Sequence, residues 1–174
     1  MNKFTKVIKV ILNTLMTIII ILGILFLLLY AIGIRPFVVE SGSMEPNIHV
    51  GSVCFVNKKA KFENIKQNDI IAFNTKVGMK VTHRAINITQ DGIETKGDAN
   101  EHADGQLVTK NLFIGKTLFS IPKAGYFIRY IQSPKGMIIF GIIILVIVLL
   151  DILVESNDKS AQDGKNSKGK HSSN

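Results

Sequence analysis

The sequence predicts a mainly β domain flanked by two membrane-spanning α-helices. Three observations carry this fold class. Residues Val10–Ile34 run for about 25 positions without a charge, and Met137–Val154 form a second apolar run broken only by Asp151. The segment between them divides into short, β-branched stretches punctuated by glycines. Apolar residues make up 47% of the 174-residue chain beside 20% charged residues, so the apolar excess has to be concentrated, as these runs concentrate it.

The elements follow in chain order. Residues 1–9 carry Lys3, Lys6 and Lys9 ahead of the first apolar run. Residues 10–34 are long enough to cross a bilayer and longer than the apolar core of a cleaved signal peptide, which favours a retained anchor. Ala31 and Gly33 form a small-x-small pair, the one feature that points toward cleavage. Residues 35–136 are the expected β domain, with strands in "SVCFVN", "DIIAFN", "MKVTHRAINI", "GIETK" and "LFIGKTLFSI". Residues 137–154 would reach about 27 Å as a helix, close to the hydrocarbon thickness. A helix apolar on every face otherwise needs a large surrounding core, so a second span is expected. Residues 155–174, rich in Ser, Asn, Gly and Lys, read as a disordered basic tail.

Charge sets the expected orientation. Lysines before the first run and Lys159, Lys165, Lys168 and Lys170 after the second put both termini in the cytoplasm, with the β domain outside a multi-pass cell-membrane protein. The formal net charge of +8 comes without a nucleic-acid motif, so its expected partner is the lipid bilayer and not nucleic acid. The single cysteine, Cys54, excludes an intrachain disulfide and reads as a small core residue.

Soon after the first apolar run comes "VVESGSMEPNI". Gly42 permits a tight bend before Ser43, and Pro46 fixes φ just beyond it. This makes Ser43 a candidate nucleophile, with Ser41 able to supply a second hydroxyl; an ordinary Ser-Gly-Ser turn is the plainer reading. In "KVTHRAI" a strand puts Val81, His83 and Ala85 on one face and Thr82, Arg84 and Ile86 on the other. His83 is therefore either a core histidine or a base lining a cleft. In "TKGDANEHAD", Asp98 and Asp104 are both candidates to hold the second ring nitrogen of His83, and a solvated acidic loop is the alternative. His49 and His102 are competing bases. A metal site from His102, Asp98 and Asp104 lacks any recognised ligand spacing, so neither metal nor cofactor is expected.

Taken in order, "SGSMEP", "THR" and "KGDAN…D" resemble the type I signal peptidase family. They resemble more narrowly its endoplasmic-reticulum-type branch, which also occurs in Gram-positive bacteria and archaea and has histidine where the main bacterial branch has lysine. The resemblance covers about residues 35–125. It implies a domain of coiled β-sheets and a serine endopeptidase that removes signal peptides at the outer membrane surface through an acyl-enzyme. It implies Ser43 as nucleophile, His83 as general base and Asp104 as its support. Asp98 would be the other acid of the Gly-Asp motif, and Ser41 with the Ser43 N–H would form the oxyanion hole. Substrates would be secretory preproteins with Ala-x-Ala-like cleavage sites, and no residue pattern assigns further subunits. Asn47 departs from the threonine or small residue common there. Two rivals differ in class: a non-enzymatic membrane-anchored β domain serving as a subunit or scaffold, and a relative of the self-cleaving repressor proteases, against which the two apolar runs argue.

Overall fold

The computed structural model describes residues 3–170, which form two compact units. One is Phe26–Tyr130; the other joins the residues up to Leu25 with those from Ile131 onward. Helix α1 covers Lys3–Ala31. Then come β1 (Ile34–Val38), β2 (Val53–Asn57), β3 (Ile70–Asn74), β4 (Lys80–Ile88), β5 (Ile93–Lys96) and β6 (Phe113–Ile121), followed by α2 (Ala124–Gln132) and α3 (Pro134–Lys170). The strands form one six-stranded sheet in the order β1-β2-β6-β3-β4-β5, every pairing antiparallel.

The five stretches expected as strands are β2 to β6. Two elements were not expected. Ile34–Val38 forms edge strand β1, although Pro36 interrupts its donors; an edge tolerates this because one side of the strand needs no partner. Ala124–Gln132 forms α2, whose nine residues are too few to establish a helical period.

Helix α1 ends at Ala31, and Gly33, at φ +92°, turns the chain so that Ile34 already belongs to β1. Among the described residues one helix, Lys6–Ala31, is by itself long and apolar enough to cross a membrane. The second apolar run lies in α3 and meets that test only jointly with α2, as a pair bent at its break. Helix α3 runs on to Lys170, through most of the segment whose composition reads as a tail; residues 171–174 lie outside the described residues.

Strand β3 lies near the middle of the sheet and is covered on both faces. Ile71 and Phe73 pack with Ile65, Ala85, Ile93 and Val108. Ala72, pointing the other way, packs with Met44, Ile48, Cys54 and Val56. The second cluster sits beneath the "SGSM" turn and fixes it to the sheet. Cys54 is fully buried within it, and burial pushes its thiol up to about 11, as expected of a core residue.

The register sets one level across the sheet. Ile34 pairs with Asn57, Asn57 with Lys116, Lys116 with Ile71, and Ile71 with His83. His83 therefore stands in the same cross-strand row as the first strand residue after α1.

Candidate active site

Ser43 lies in a single turn of 3-10 helix, Gly42–Met44, entered from extended Ser41. The following Met44 is buried and plugs the turn into the core, and its carbonyl accepts from the Ile48 N–H at 2.8 Å. The Ser43 carbonyl accepts from the Ala99 N–H at 2.9 Å, which ties the turn to the loop after β5. The peptide bond before Pro46 is cis. The knot is thus held from below by packing and from the side by a backbone bond.

The turn brings the Ser43 Oγ to 2.9 Å from the His83 Nε2. His83 points inward from β4, opposite Ile71, with its ring edge-on to Phe73 at 6.2 Å between centroids. Its other nitrogen, Nδ1, lies 2.7 Å from the Asp104 Oδ2. The Thr95 hydroxyl donates to that same oxygen at 2.6 Å, while the Asp104 N–H donates to the Thr95 carbonyl at 2.9 Å. Acceptance at Oδ2 requires the Nδ1–H tautomer, which leaves Nε2 free to accept the serine proton.

His83 is 7% exposed, so the relay from hydroxyl to carboxylate is largely shielded from water. Burial acts to raise the Asp104 carboxyl, but hydrogen bonds from His83 and Thr95 outweigh it and hold the group below the ordinary value of 3.8. Asp104 therefore remains ionised at neutral pH.

Asp98 serves another partner. Arg84, on the outward face of β4, grips it with two hydrogen bonds of 2.8 and 2.7 Å, and the Asn47 side chain donates at 2.7 Å. The hydrogen bonds from Arg84, aided by that of Asn47, hold the Asp98 carboxyl low against its burial. Asp98 in turn pushes the Arg84 guanidinium up. The choice between the two acids is thus resolved geometrically: Asp104 meets His83 and Asp98 meets Arg84. Asn47, the residue that departs from the common pattern, links the serine knot to Asp98.

The remaining candidates separate cleanly. The Ser41 Oγ is 3.4 Å from the Ser43 Oγ, beside the nucleophile candidate. His49 is exposed and 3.7 Å from Glu45, and His102 is exposed. Among the described residues no cluster of His, Cys, Asp or Glu is arranged to hold a metal ion. Thr95 was missed by sequence reasoning. Its signal was the alternation of "IETK", which places Ile93 and Thr95 on the buried face.

Ser43 and His83 open into a groove of about 740 Å³. Phe37–Glu40 form one wall and Gly78–Thr82 the other, with Met44 and Ile48 at its base. β1 and β4 are not neighbours in the sheet, yet the Lys80 ammonium lies 5.8 Å from the Phe37 ring centroid. The sheet therefore curls enough to bring its edge strand opposite β4.

A family model described as signal peptidase, peptidase S26, matches residues 11–116, more than half of the chain. The chain belongs to this signal peptidase family. The matched segment includes Ser41, Ser43, His83, Asp98 and Asp104. Signal peptidase I W of Bacillus subtilis (strain 168) is 36% identical over 89 residues, 48% of this chain and 47% of that protein. Signal peptidase I P of Bacillus subtilis subsp. natto is 40% identical over 84 residues, 46% of this chain and 44% of that protein. The chain spans about half the length of the curated relatives it matches. A histidine as the serine's partner accords with the endoplasmic-reticulum-type branch of the signal peptidases.

Proposed function

We propose that this chain is a membrane-bound serine endopeptidase that removes signal peptides from secretory preproteins. The observation that carries this reading is the continuous Ser43–His83–Asp104 relay at the floor of a groove. A scaffold has no need of a nucleophile, a base and an ionised acid in hydrogen-bonded series.

The chemistry proceeds in two halves. The Ser43 Oγ attacks the scissile carbonyl carbon while its proton passes to the His83 Nε2, and the C–O bond forms as the carbonyl π electrons move to oxygen. Asp104 stabilises the resulting imidazolium without taking its proton. The Ser43 N–H and the Ser41 hydroxyl donate to the oxyanion. Collapse breaks the C–N bond, and His83 returns the proton to the leaving amine. Water then attacks the acyl-enzyme with His83 again as base, releasing the signal peptide's carboxylate and restoring Ser43. Asp98 supports the site from outside this relay, through Arg84 and Asn47.

The substrate lies extended along the open edge of β1 near Pro36–Glu40, where β-augmentation would hold it, with small Ala-x-Ala-like residues facing the groove. The lysine distribution supports both termini in the cytoplasm, the sheet outside and a second span at residues 137–154. Under this reading β1 presents the preprotein at the level where it leaves the lipid.

The test is processing of a model preprotein by full-length protein in vesicles. Ser43→Ala and His83→Ala should each fold and leave the preprotein uncut, while His49→Ala and His102→Ala retain substantial activity. Complete processing by Ser43→Ala would return the chain to the scaffold reading.

A further inference from the structure

The relay ends on a carboxylate that no strand carries. Asp104 lies in irregular chain between β5 and β6, and its position is set from β5. On one side β5 pairs with β4, where Ala85 stands opposite Thr95. On its other side Ile93 and Val108 exchange two hydrogen bonds, of 2.9 and 2.8 Å. An antiparallel pair continued from that bridge would set Thr95 opposite Gln106. The chain departs from this register. Gly105 turns at φ +61°, and the Asp104 N–H takes the Thr95 carbonyl at 2.9 Å instead.

Thr95 then binds the same residue a second time. It is fully buried, on the face of β5 that it shares with Ile93, and its hydroxyl lies 2.6 Å from the Asp104 Oδ2. That oxygen also accepts from the His83 Nδ1–H at 2.7 Å. An ionised carboxylate has no proton to give, so the hydroxyl donates, and the two lone pairs of Oδ2 meet two donors. The backbone bond sets where the Asp104 main chain stands, and the hydroxyl sets how its carboxylate is turned. A β-branched side chain is stiff about χ1, which keeps that hydroxyl aimed.

We propose that Thr95 is a positioning residue for the hydrolysis, its hydroxyl locking the Asp104 carboxylate in the orientation that holds His83 as the Nδ1–H tautomer. The inference rests on the Ser43–His83–Asp104 reading of the site. Thr95 acts through Asp104 and not on the reacting atoms. Without the hydroxyl, a buried lone pair loses its donor and the carboxylate is free to rotate away from the ring. The same bond also works with that of His83 to keep Asp104 ionised against its burial.

The experiment compares Thr95→Val, which keeps nearly the shape and loses the hydroxyl, with Thr95→Ser, which keeps the hydroxyl and loses the methyl group. Full-length protein in vesicles is assayed on a model preprotein, and each variant is melted across a pH series. Thr95→Val should lower kcat by about 10–100-fold with KM unchanged, the upper figure being the effect of about 1 Å of misplacement. Thr95→Ser should keep most of kcat. A packing role gives the reverse order, because Val fills the buried site and Ser leaves a gap.

The melting series needs no catalysis. Ionised Asp104 contributes stability that is complete above its unfolded value and lost as pH falls through its lowered, folded value. Thr95→Val brings the folded value nearer the ordinary 3.8, so the decline in melting temperature below it should be shallower, while Thr95→Ser keeps the parental decline. His83 remains bonded to Asp104 in both variants, and Asp98 remains paired with Arg84. Parental kcat in Thr95→Val overturns the proposal, as does a Thr95→Ser variant equally impaired or a parental acid-side decline in Thr95→Val. Ser43→Ala in the same assay separates the two claims. Full processing by that variant sinks the peptidase reading, whereas an inactive Ser43→Ala beside a fully active Thr95→Val sinks the role of Thr95 alone.

Discussion

Gly97 and Ser43 meet backbone to backbone: a Cβ built on Gly97 would stand 2.5 Å from the Ser43 carbonyl oxygen. That oxygen is also the acceptor for Ala99, so it cannot yield without moving the turn that aims the Ser43 hydroxyl. Gly97→Ala should therefore displace the Ser43 Oγ from His83 and lower kcat by about 100-fold, the typical effect of a 1 Å misplacement. Preprotein processing kinetics beside a melting curve would check this; unchanged kcat would show that the approach has no role in catalysis.

The two acids should separate in mutagenesis. Asp104→Asn removes the ionised acceptor for the His83 Nδ1–H and should reduce kcat by roughly 10³–10⁴-fold. Asp98→Asn should leave kcat within about tenfold of the parent, because the relay persists. It should instead lower unfolding stability by about 2 kcal/mol, since Arg84 loses its charged partner in a half-buried site. Kinetics and denaturant unfolding of the same two variants decide the assignment, and interchanged phenotypes would reverse it.

Stability should fall on the acid side. Asp98 and Asp104 both titrate below the ordinary 3.8 in the folded chain. The unfolded chain therefore binds more protons near that pH, and stability rises with pH through this window. The contribution of each carboxylate is complete above the unfolded value and is lost as pH falls through the lowered, folded value. Melting temperature should accordingly be level in this respect above about pH 5 and decline below 3.8. In Asp98→Asn the decline should be shallower, with Asp104 accounting for part of what remains.

Met44 couples packing to chemistry. It is 2% exposed and immediately follows the nucleophile candidate. Met44→Ala should destabilise the fold by about 2–5 kcal/mol and depress kcat, because the cavity opens under the serine turn. Met44→Leu keeps nearly the same volume and should cost under about 1.5 kcal/mol while retaining most activity. Equal loss of activity in both variants would argue against a packing role.

Much of this architecture was legible because period-two alternation is a local signal. It identified β2 to β6 and put His83 and Arg84 on opposite faces of β4. That same alternation bears on the two acids, since the charged Arg84 needs a partner on the face that His83 does not share. The loop sequence could not supply the assignment, because Asp98 and Asp104 lie six positions apart in a segment without a fixed period. β1 escaped detection because "IRPFV" joins a proline to an unpatterned apolar stretch. The approach of Phe37 to Lys80 depends on curvature accumulated over several strands, and no short window of sequence encodes that.

The joint between helix and sheet is stiff. Only Ile32 and Gly33 separate Ala31 from Ile34, and the backbone N–H of each is spent on Leu28 and Tyr30 respectively. Lys58 binds the Gly33 carbonyl, and the Lys59 ammonium caps that of Ala31. The last turn of α1 and the start of β1 are thus tied to each other and to the residues after β2 by four hydrogen bonds. Two flexible residues inserted after Gly33 would part Ile34 from this bonded turn and leave the first residues of β1 without the anchor that now starts the strand.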